Sequence, residues 1–225
     1  VLYPMMAWNR RQERRRDILE QLQQQSDGFR IDKLIDLSSL ENKGSFLEGT
    51  GSLVFDHAER LAYACFSPRT HVAALREFAR RADYSIVAFN AADRDGQAIY
   101  HTNVMMSLGE GFALVCLDSI KAVDERFRVL TRLERTGREV IEIRTDQLRS
   151  FVGNVLQLKA GPKRIIALSA QAQAGMTDEQ LEALSRHGKL VPVEVGTIEN
   201  NGGGSVRCML AELMLPRKAP PPKTD

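Results

Sequence analysis

The sequence is poor in the features that would assign it quickly. Its 225 residues hold three cysteines, Cys65, Cys116 and Cys208, widely spaced and with no CxxC pair. That spacing excludes a disulfide framework and a zinc ribbon, and it makes a reducing, cytoplasmic compartment the expectation. No apolar run approaches the ~20 residues that cross a bilayer, and nothing resembles a secretory signal, so a soluble protein with no membrane partner is expected. Net charge is only +2, too small to spread a field for nucleic acid over the molecule. No GxGxxG or Walker A signature follows any apolar strand pattern, which removes the usual nucleotide cradles. Ser169 has no flanking glycines of the kind a nucleophile elbow needs.

What is present is an ordinary globular composition, 43% hydrophobic, enough for one large domain over residues 1–217. Arg10, Arg11, Arg14, Arg15 and Arg16 form a dense basic cluster interleaved with Glu13, Asp17 and Glu20, the pattern of a solvated helix with ion pairs three or four residues apart. The pattern predicts a helix from Arg10 to Gln25, closed at Asp27-Gly28. Strands are expected near Leu34–Leu37, Ser52–Phe55, Leu61–Cys65, Ser85–Phe89, Ala98–Met106, Phe112–Leu117, Val140–Ile143, Gly153–Leu158, Arg164–Leu168, Leu190–Val195 and Val206–Leu213. Helices are expected from Ser67-Pro68 to about Ala82, from about Ser119 to Arg135, and after Thr177. Residues 218–225, with three consecutive prolines, read as a disordered polyproline-like tail.

Alternating strands and amphipathic helices make this an α/β chain. Gly49-Thr50-Gly51, Gly109-Glu110-Gly111, Gly153-Asn154 and Gly202-Gly203-Gly204 recur at comparable points of successive strand-turn-strand-helix-strand units, an interval that fits propeller-like repetition. Polar residues accompany these turns. Glu48 closes an apolar stretch and abuts Gly49, His101 opens the polar triplet His101-Thr102-Asn103 between apolar flanks, and Cys208 follows a run of three glycines. Glycines let a small ligand and the backbone approach closely, and a thiol there becomes a nucleophile once a base or cation lowers its pKa; Arg207 is adjacent. Taken singly, Glu48 reads equally as a solvated strand-end charge, His101 as a satisfied core histidine and Cys208 as a small buried hydrophobe. A carboxylate, an imidazole and a thiol at the turns of separate but similar units are together what a shared central cleft requires. Cys65 and Cys116 read as inert core, Met105 and Met106 as core, and His57, His71 and His187 as solvated.

The segments Leu2-Tyr3-Pro4-Met5-Met6-Ala7, Asn9-Arg10-Arg11, Phe46-Leu47-Glu48-Gly49-Thr50-Gly51-Ser52-Leu53, Ser67-Pro68-Arg69-Thr70, Tyr100-His101-Thr102-Asn103-Val104-Met105-Met106, Phe151-Val152-Gly153-Asn154 and Gly202-Gly203-Gly204-Ser205-Val206-Arg207-Cys208-Met209 span nearly the whole sequence. In them the chain resembles the guanidino-group-modifying superfamily of amidinotransferases, arginine deiminases and dimethylargininases, with most likeness to the citrulline-hydrolase type of amidinotransferase-like proteins. The resemblance implies a pentein-type α/β propeller of five modules around a narrow site, with no metal or organic cofactor. It carries the catalytic roles onto Glu48, His101 and Cys208. Cys208 would attack the planar carbon of a ureido or guanidino amino acid, and His101 would protonate the departing amine and then activate water. Glu48 would bind the imidazole or substrate nitrogens, Asn103, Gly203, Gly204 and Arg207 would bind substrate, and backbone amides near Gly203 and Gly204 would support the intermediate.

Two departures bear on substrate. The deiminases place an aspartate two residues after the histidine, where Asn103 stands, and another three after the glutamate, where Gly51 stands. A cationic guanidinium would lose charge compensation in such a cleft, whereas a neutral ureido group would not, and an asparagine offers it both a donor and an acceptor. Citrulline is therefore favoured over arginine. A module that precedes the Tyr-Pro-Met-Met segment in such relatives is not seen, so the first module reads as incomplete. Amidino transfer to an amine acceptor and a non-catalytic binding propeller are the alternatives. The sequence sets no oligomeric state, and a homo-oligomer is compatible with it.

Overall fold

Residues 1–24 and 28–218 are described by the computed structural model. A 3-10 segment (Trp8–Glu13), helix α1 (Arg16–Gln24), a second 3-10 segment (Ser38–Lys43) and the single-turn α2 (Gly49–Ser52) precede the first sheet. That sheet holds β1 (Val54–Asp56), β2 (Leu61–Cys65) and β3 (Ser85–Phe89), with α3 (Val72–Ala82) between the last two. The second unit opens with α4 (Thr102–Met105) and holds β4 (Met106–Leu108), β5 (Phe112–Val115), α5 (Val123–Glu134) and β6 (Glu139–Glu142). The third holds β7 (Leu156–Ala160), β8 (Lys163–Ser169), α6 (Ala170–Ala174), α7 (Asp178–Ser185) and β9 (Lys189–Val193). Helix α8 (Gly196–Gly202) and a 3-10 turn (Val206–Met209) follow.

Each sheet is wired alike: an antiparallel hairpin, a helical crossover, and a third strand parallel to the second. The strand-strand-helix-strand repetition is present as three modules among the described residues, although the glycine turns do not all fall at equivalent points of them. β2 is buried on both of its faces. Leu61, Tyr63 and Cys65 point into the larger core shared with β5 and α5, while Ala62 and Ala64 pack with Ala74, Leu75 and Phe78 of α3. The period of two along a strand sends alternate side chains to the two cores. The first strands of the three units line one cavity of about 310 Å³, walled by Val54, Asp56, Ser107, Leu108, Leu156 and Gln157 and reaching Asn103 and Arg207. Among the described residues, no helix is long and apolar enough to cross a membrane.

Several expected elements differ. The run Ala98–Met106 is not one strand: Thr102 Oγ1 accepts from the Cys65 amide and donates to Ser52 O, which curls residues 102–105 into the turn of α4. Because Val104, Met105 and Met106 are buried, periodicity could not separate helix from strand there. Val206–Leu213 forms a 3-10 turn and irregular chain, since the Cys208 amide bonds back to Ser205 O and the Arg207 amide to Asn154. The basic segment breaks at Arg14 and Arg15 because Arg11 and Arg14 turn to the Glu41 carboxylate. The expected helix end at Gln25 and Asp27 lies outside the described residues. Leu34–Leu37 contributes only a parallel bridge between Leu2 and Asp36. Gly109-Glu110-Gly111 is a hairpin tip, so the position matching Gly49–Gly51 in the second module belongs to His101–Asn103 instead. At the C-terminal end the Lys218 amide bonds Gly28 O, and residues 219–225 of the expected tail lie outside the described residues.

Candidate active site

Glu48 sits at the start of α2, where its own amide donates to Ser52 Oγ at 2.9 Å and anchors the turn. The carboxylate is almost completely buried, with 1% of its side chain exposed. Its Oε1 accepts from the Met6 amide at 3.0 Å. Its Oε2 accepts from His101 Nε2 at 2.9 Å and from Arg69 at 3.2 Å, with Arg10 at 3.9 Å. Burial pushes the Glu48 pKa up, but the His101 and Met6 hydrogen bonds and the charges of His101 and Arg69 more than offset it and hold the group at about 2. Glu48 is thus an ionised acceptor.

His101 occupies the N-cap position of α4, extended at φ −138°, ψ 140°. An ionised carboxylate accepts only, so Nε2 carries a proton toward Glu48 and, in the neutral ring, Nδ1 is the acceptor. Among the described residues Nδ1 makes no hydrogen bond. It faces Gly51: a Cβ there would stand 2.8 Å from Nδ1 and 2.9 Å from Cε1. The glycine is therefore a steric requirement of this imidazole position, and any side chain in its place would fill the space beside Nδ1.

Cys208 lies exposed on the last 3-10 turn. Two side-chain amides converge on its sulfur, Asn154 Nδ2 at 3.3 Å and Asn103 Nδ2 at 3.6 Å. Asn103, two residues beyond His101, links the thiol to the His101–Glu48 pair; no hydrogen bond joins His101 to Cys208 directly among the described residues. Asn103 Oδ1 is buried without a partner. Gly204 packs on Cys208, with a Cβ there lying 3.4 Å from the sulfur, and Gly203 takes the left-handed conformation at φ +65° that ends α8. Gly203 O accepts from the Tyr100 hydroxyl at 2.6 Å. Burial, followed by the charge of Cys208, pushes the Tyr100 pKa up. The Arg207 guanidinium is engaged by Leu210 O and Glu212.

The residues expected elsewhere behave as structure. Burial raises the thiol of Cys65 to about 11 and that of Cys116 above its usual range. Met105 and Met106 are fully buried. His57 bonds the Tyr84 hydroxyl, His187 is held by Glu139, and Ser169 caps α6. A cavity of about 610 Å³ between Lys43 and Asn90 contains none of the three candidate catalytic groups.

A model of the eukaryotic N,N-dimethylarginine dimethylhydrolases matches residues 1–215. The chain belongs to this family. No curated protein sequence matches it. Among solved structures it is similar to apo ArgZ, an arginine dihydrolase from the ornithine-ammonia cycle in cyanobacteria, at 17% identity and a TM-score of 0.69, over 96% of this chain and 31% of that one. It is also similar to a variant of the ArgZ N-terminal domain covalently bound to a reaction intermediate, at 16% identity and TM-score 0.67, over 96% and 69% of the two chains. SxtG, an amidinotransferase from Microseira wollei in saxitoxin biosynthesis, gives 14% identity and TM-score 0.57, over 92% and 62%. At these identities the likeness establishes a shared α/β fold, and the chain spans about a third of the length of apo ArgZ.

For this member of the dimethylarginine dimethylhydrolase family, sequence reasoning did not single out Asn154, Arg69 or Tyr100 as site residues. Asn154 carried one signal, its place in a recurring glycine turn. Arg69 carried only its place in the Ser67–Thr70 segment of the resemblance, because only the fold brings that turn beside Glu48. Tyr100 was hidden by its neighbour, the more conspicuous histidine.

Proposed function

We propose that this protein is a cysteine-dependent hydrolase of the ureido or guanidino group of a small amino acid, working through a covalent thio-adduct, and that citrulline is the preferred type of substrate. The observation that carries the reading is the joined set: an ionised Glu48 orienting His101, and Cys208 held against Asn103 two residues from that histidine. As substrate binds, the proton of the Cys208 thiol passes to His101 Nδ1, and the thiolate attacks the planar carbon. His101 gives a proton from Nδ1 to the departing nitrogen, which leaves as ammonia, and the carbon remains bound to sulfur. Nδ1 then takes a proton from water, the resulting hydroxide attacks the same carbon, and the carbon–sulfur bond breaks as Nδ1 returns that proton to the sulfur, restoring the thiol and the neutral imidazole. Amides near Gly203 and Gly204 support charge on the intermediate. Arg207, its guanidinium held by Leu210 O and Glu212, enters this scheme through its backbone amide, which Asn154 holds beside Cys208.

The preference for a neutral head group is supported by the surroundings of the sulfur. Both Glu48 oxygens are already engaged, and the side chains against the thiol are the uncharged Asn103 and Asn154. A guanidinium there would find amides rather than a free carboxylate. The family match favours the second reading, a methylated guanidino substrate, because that is the group for which the matched family is named. The same reading extends to the five-module propeller: three modules share one topology, and the parallel Leu2–Asp36 bridge repeats the pairing of a third strand. The small-molecule role assigns no nucleic-acid or membrane partner and a cytoplasmic location.

The test is incubation of full-length protein with citrulline, arginine and dimethylarginine, with ammonia and amino-acid products measured. Turnover of citrulline above the other two supports the proposal, and the reverse order overturns the substrate assignment. Cys208→Ala is expected to lower turnover by more than about 1,000-fold and to leave no substrate-derived mass on the protein. Turnover retained in that variant would end the thiol mechanism.

A further inference from the structure

The side chain of Asn154 is fully buried, and every group it carries is used. Its Nδ2 donates to Asn103 O at 2.9 Å and to Cys208 Sγ at 3.3 Å. Its Oδ1 accepts from the Arg207 amide at 3.1 Å and lies 3.7 Å from Cys208 Sγ, within reach of the neutral thiol as donor, so the side chain meets the sulfur with its nearer N–H and its more distant oxygen. One side chain therefore fixes the backbone on both sides of the cleft, residue 103 on α4 and residue 207 on the last turn, and points an N–H at the sulfur held between them. Gly153 permits this placement: a Cβ at that residue would lie 2.5 Å from Val104 O, so only glycine lets residue 154 come so close to α4.

We infer that Asn154 is a positioning residue that stabilises the thiolate of Cys208 and aims it, with the amide of Asn103 as second donor. An N–H aimed at sulfur bonds the anion more strongly than the neutral thiol, so it favours ionisation. Among the described residues the two amides do this with no cation in hydrogen-bond contact with the sulfur, Arg10 acting on it only through space. The unpartnered Oδ1 of Asn103 then stays free to accept from a substrate nitrogen while its Nδ2 serves the sulfur. The inference rests on the assignment of Cys208 as the nucleophile, but it concerns the free enzyme.

It is tested without substrate, in the full-length protein. Thiolate absorbance near 240 nm and the rate of alkylation by iodoacetamide are followed against pH, with Cys208→Ala as the blank for Cys65 and Cys116. Asn154→Asp keeps the acceptor for the Arg207 amide but removes the donor and adds a like charge. It should raise the Cys208 midpoint by about one pH unit or more and slow alkylation at neutral pH by about tenfold. Asn154→Ala, which adds no charge, should raise it by less. Midpoints unchanged in folded variants would overturn the inference. In the wild-type protein, where folding is not at issue, the side-chain amide nitrogen signal of Asn154 should titrate with the midpoint of Cys208; a signal that does not move through that range also overturns it. An inactive protein whose thiolate depends on Asn154 would refute the proposed substrate class alone, and an active one with an unmoved midpoint would refute this inference alone.

Discussion

At the scale of single residues, charge and steric space are set around Glu48 and His101 more tightly than around the thiol. Glu48 is held at about 2 against an ordinary 4.5, so it lends the native state stability that is fully present above 4.5 and is lost as pH falls toward 2. The shift corresponds to roughly 3 kcal/mol, largely the worth of the His101, Met6 and Arg69 interactions. Glu48→Gln should therefore show a flatter decline of the urea midpoint between pH 4.5 and 2 than the wild type. Parallel declines for the two proteins would mean that the carboxylate is not ionised as described. Gly51→Ala places a methyl group 2.8 Å from His101 Nδ1. It is expected to reduce kcat by about 100-fold, with a small change in melting temperature, because the imidazole rather than the backbone gives way. An unaltered kcat would show that Nδ1 does not face the reacting atoms.

At the scale of elements, the site is assembled from the segments that precede the first strand of each module. Glu48 and α2 lead into β1, His101 and α4 into β4, and Gly153-Asn154 into β7; Cys208 occupies a like place after α8. The repetition explains why glycines and polar residues recur together in the sequence: each segment must turn sharply at one end of a hairpin and present a polar group to a common centre. Thr102 fastens two of these segments, accepting from Cys65 and donating to Ser52 O. Gly153 fastens a third by close approach to α4. Gly153→Ala is expected to destabilise the fold by about 1–3 kcal/mol, seen as a fall in melting temperature of several degrees, since backbone must move to relieve a 2.5 Å contact. A melting temperature at or above that of the wild type would refute the packing described.

At the scale of the whole molecule, modules meet through buried polar links as well as apolar core. Arg138, ahead of β6 in the second module, donates to Asp56 at the end of β1 in the first, and also to Gly109 O. Only 11% of the arginine and 1% of the aspartate side chain are exposed. Arg138→Met alone strands a buried carboxylate and is expected to cost about 3–5 kcal/mol in chemical denaturation, whereas Arg138→Met with Asp56→Leu should recover a large part of that loss. If the double variant proved no more stable than the single one, the pair would not be a desolvated ion pair. Beside this link runs the cavity lined by β1, β4 and β7, which reaches Asn103, so the first strands of the three modules border one space near the site.

Much of this was legible in the residues themselves. Local chemistry fixed β2 and β3 at the expected bounds and the Thr177 capping box that opens α7. It also marked Glu48, His101 and Cys208, because their residue types beside glycine turns are conspicuous in one dimension. The tertiary structure decided the rest. That residues 102–105 curl into a helix follows from Thr102 bonding partners 37 and 50 residues away, and the break in the basic segment follows from Glu41, 27 residues beyond Arg14. Asn154 and Arg69 became site residues only where the chain returned to Cys208 and Glu48. Propensity and periodicity are carried by neighbours in sequence, whereas a hydrogen bond that reshapes the backbone or reaches a thiol depends on groups that only folding brings within three ångströms or so.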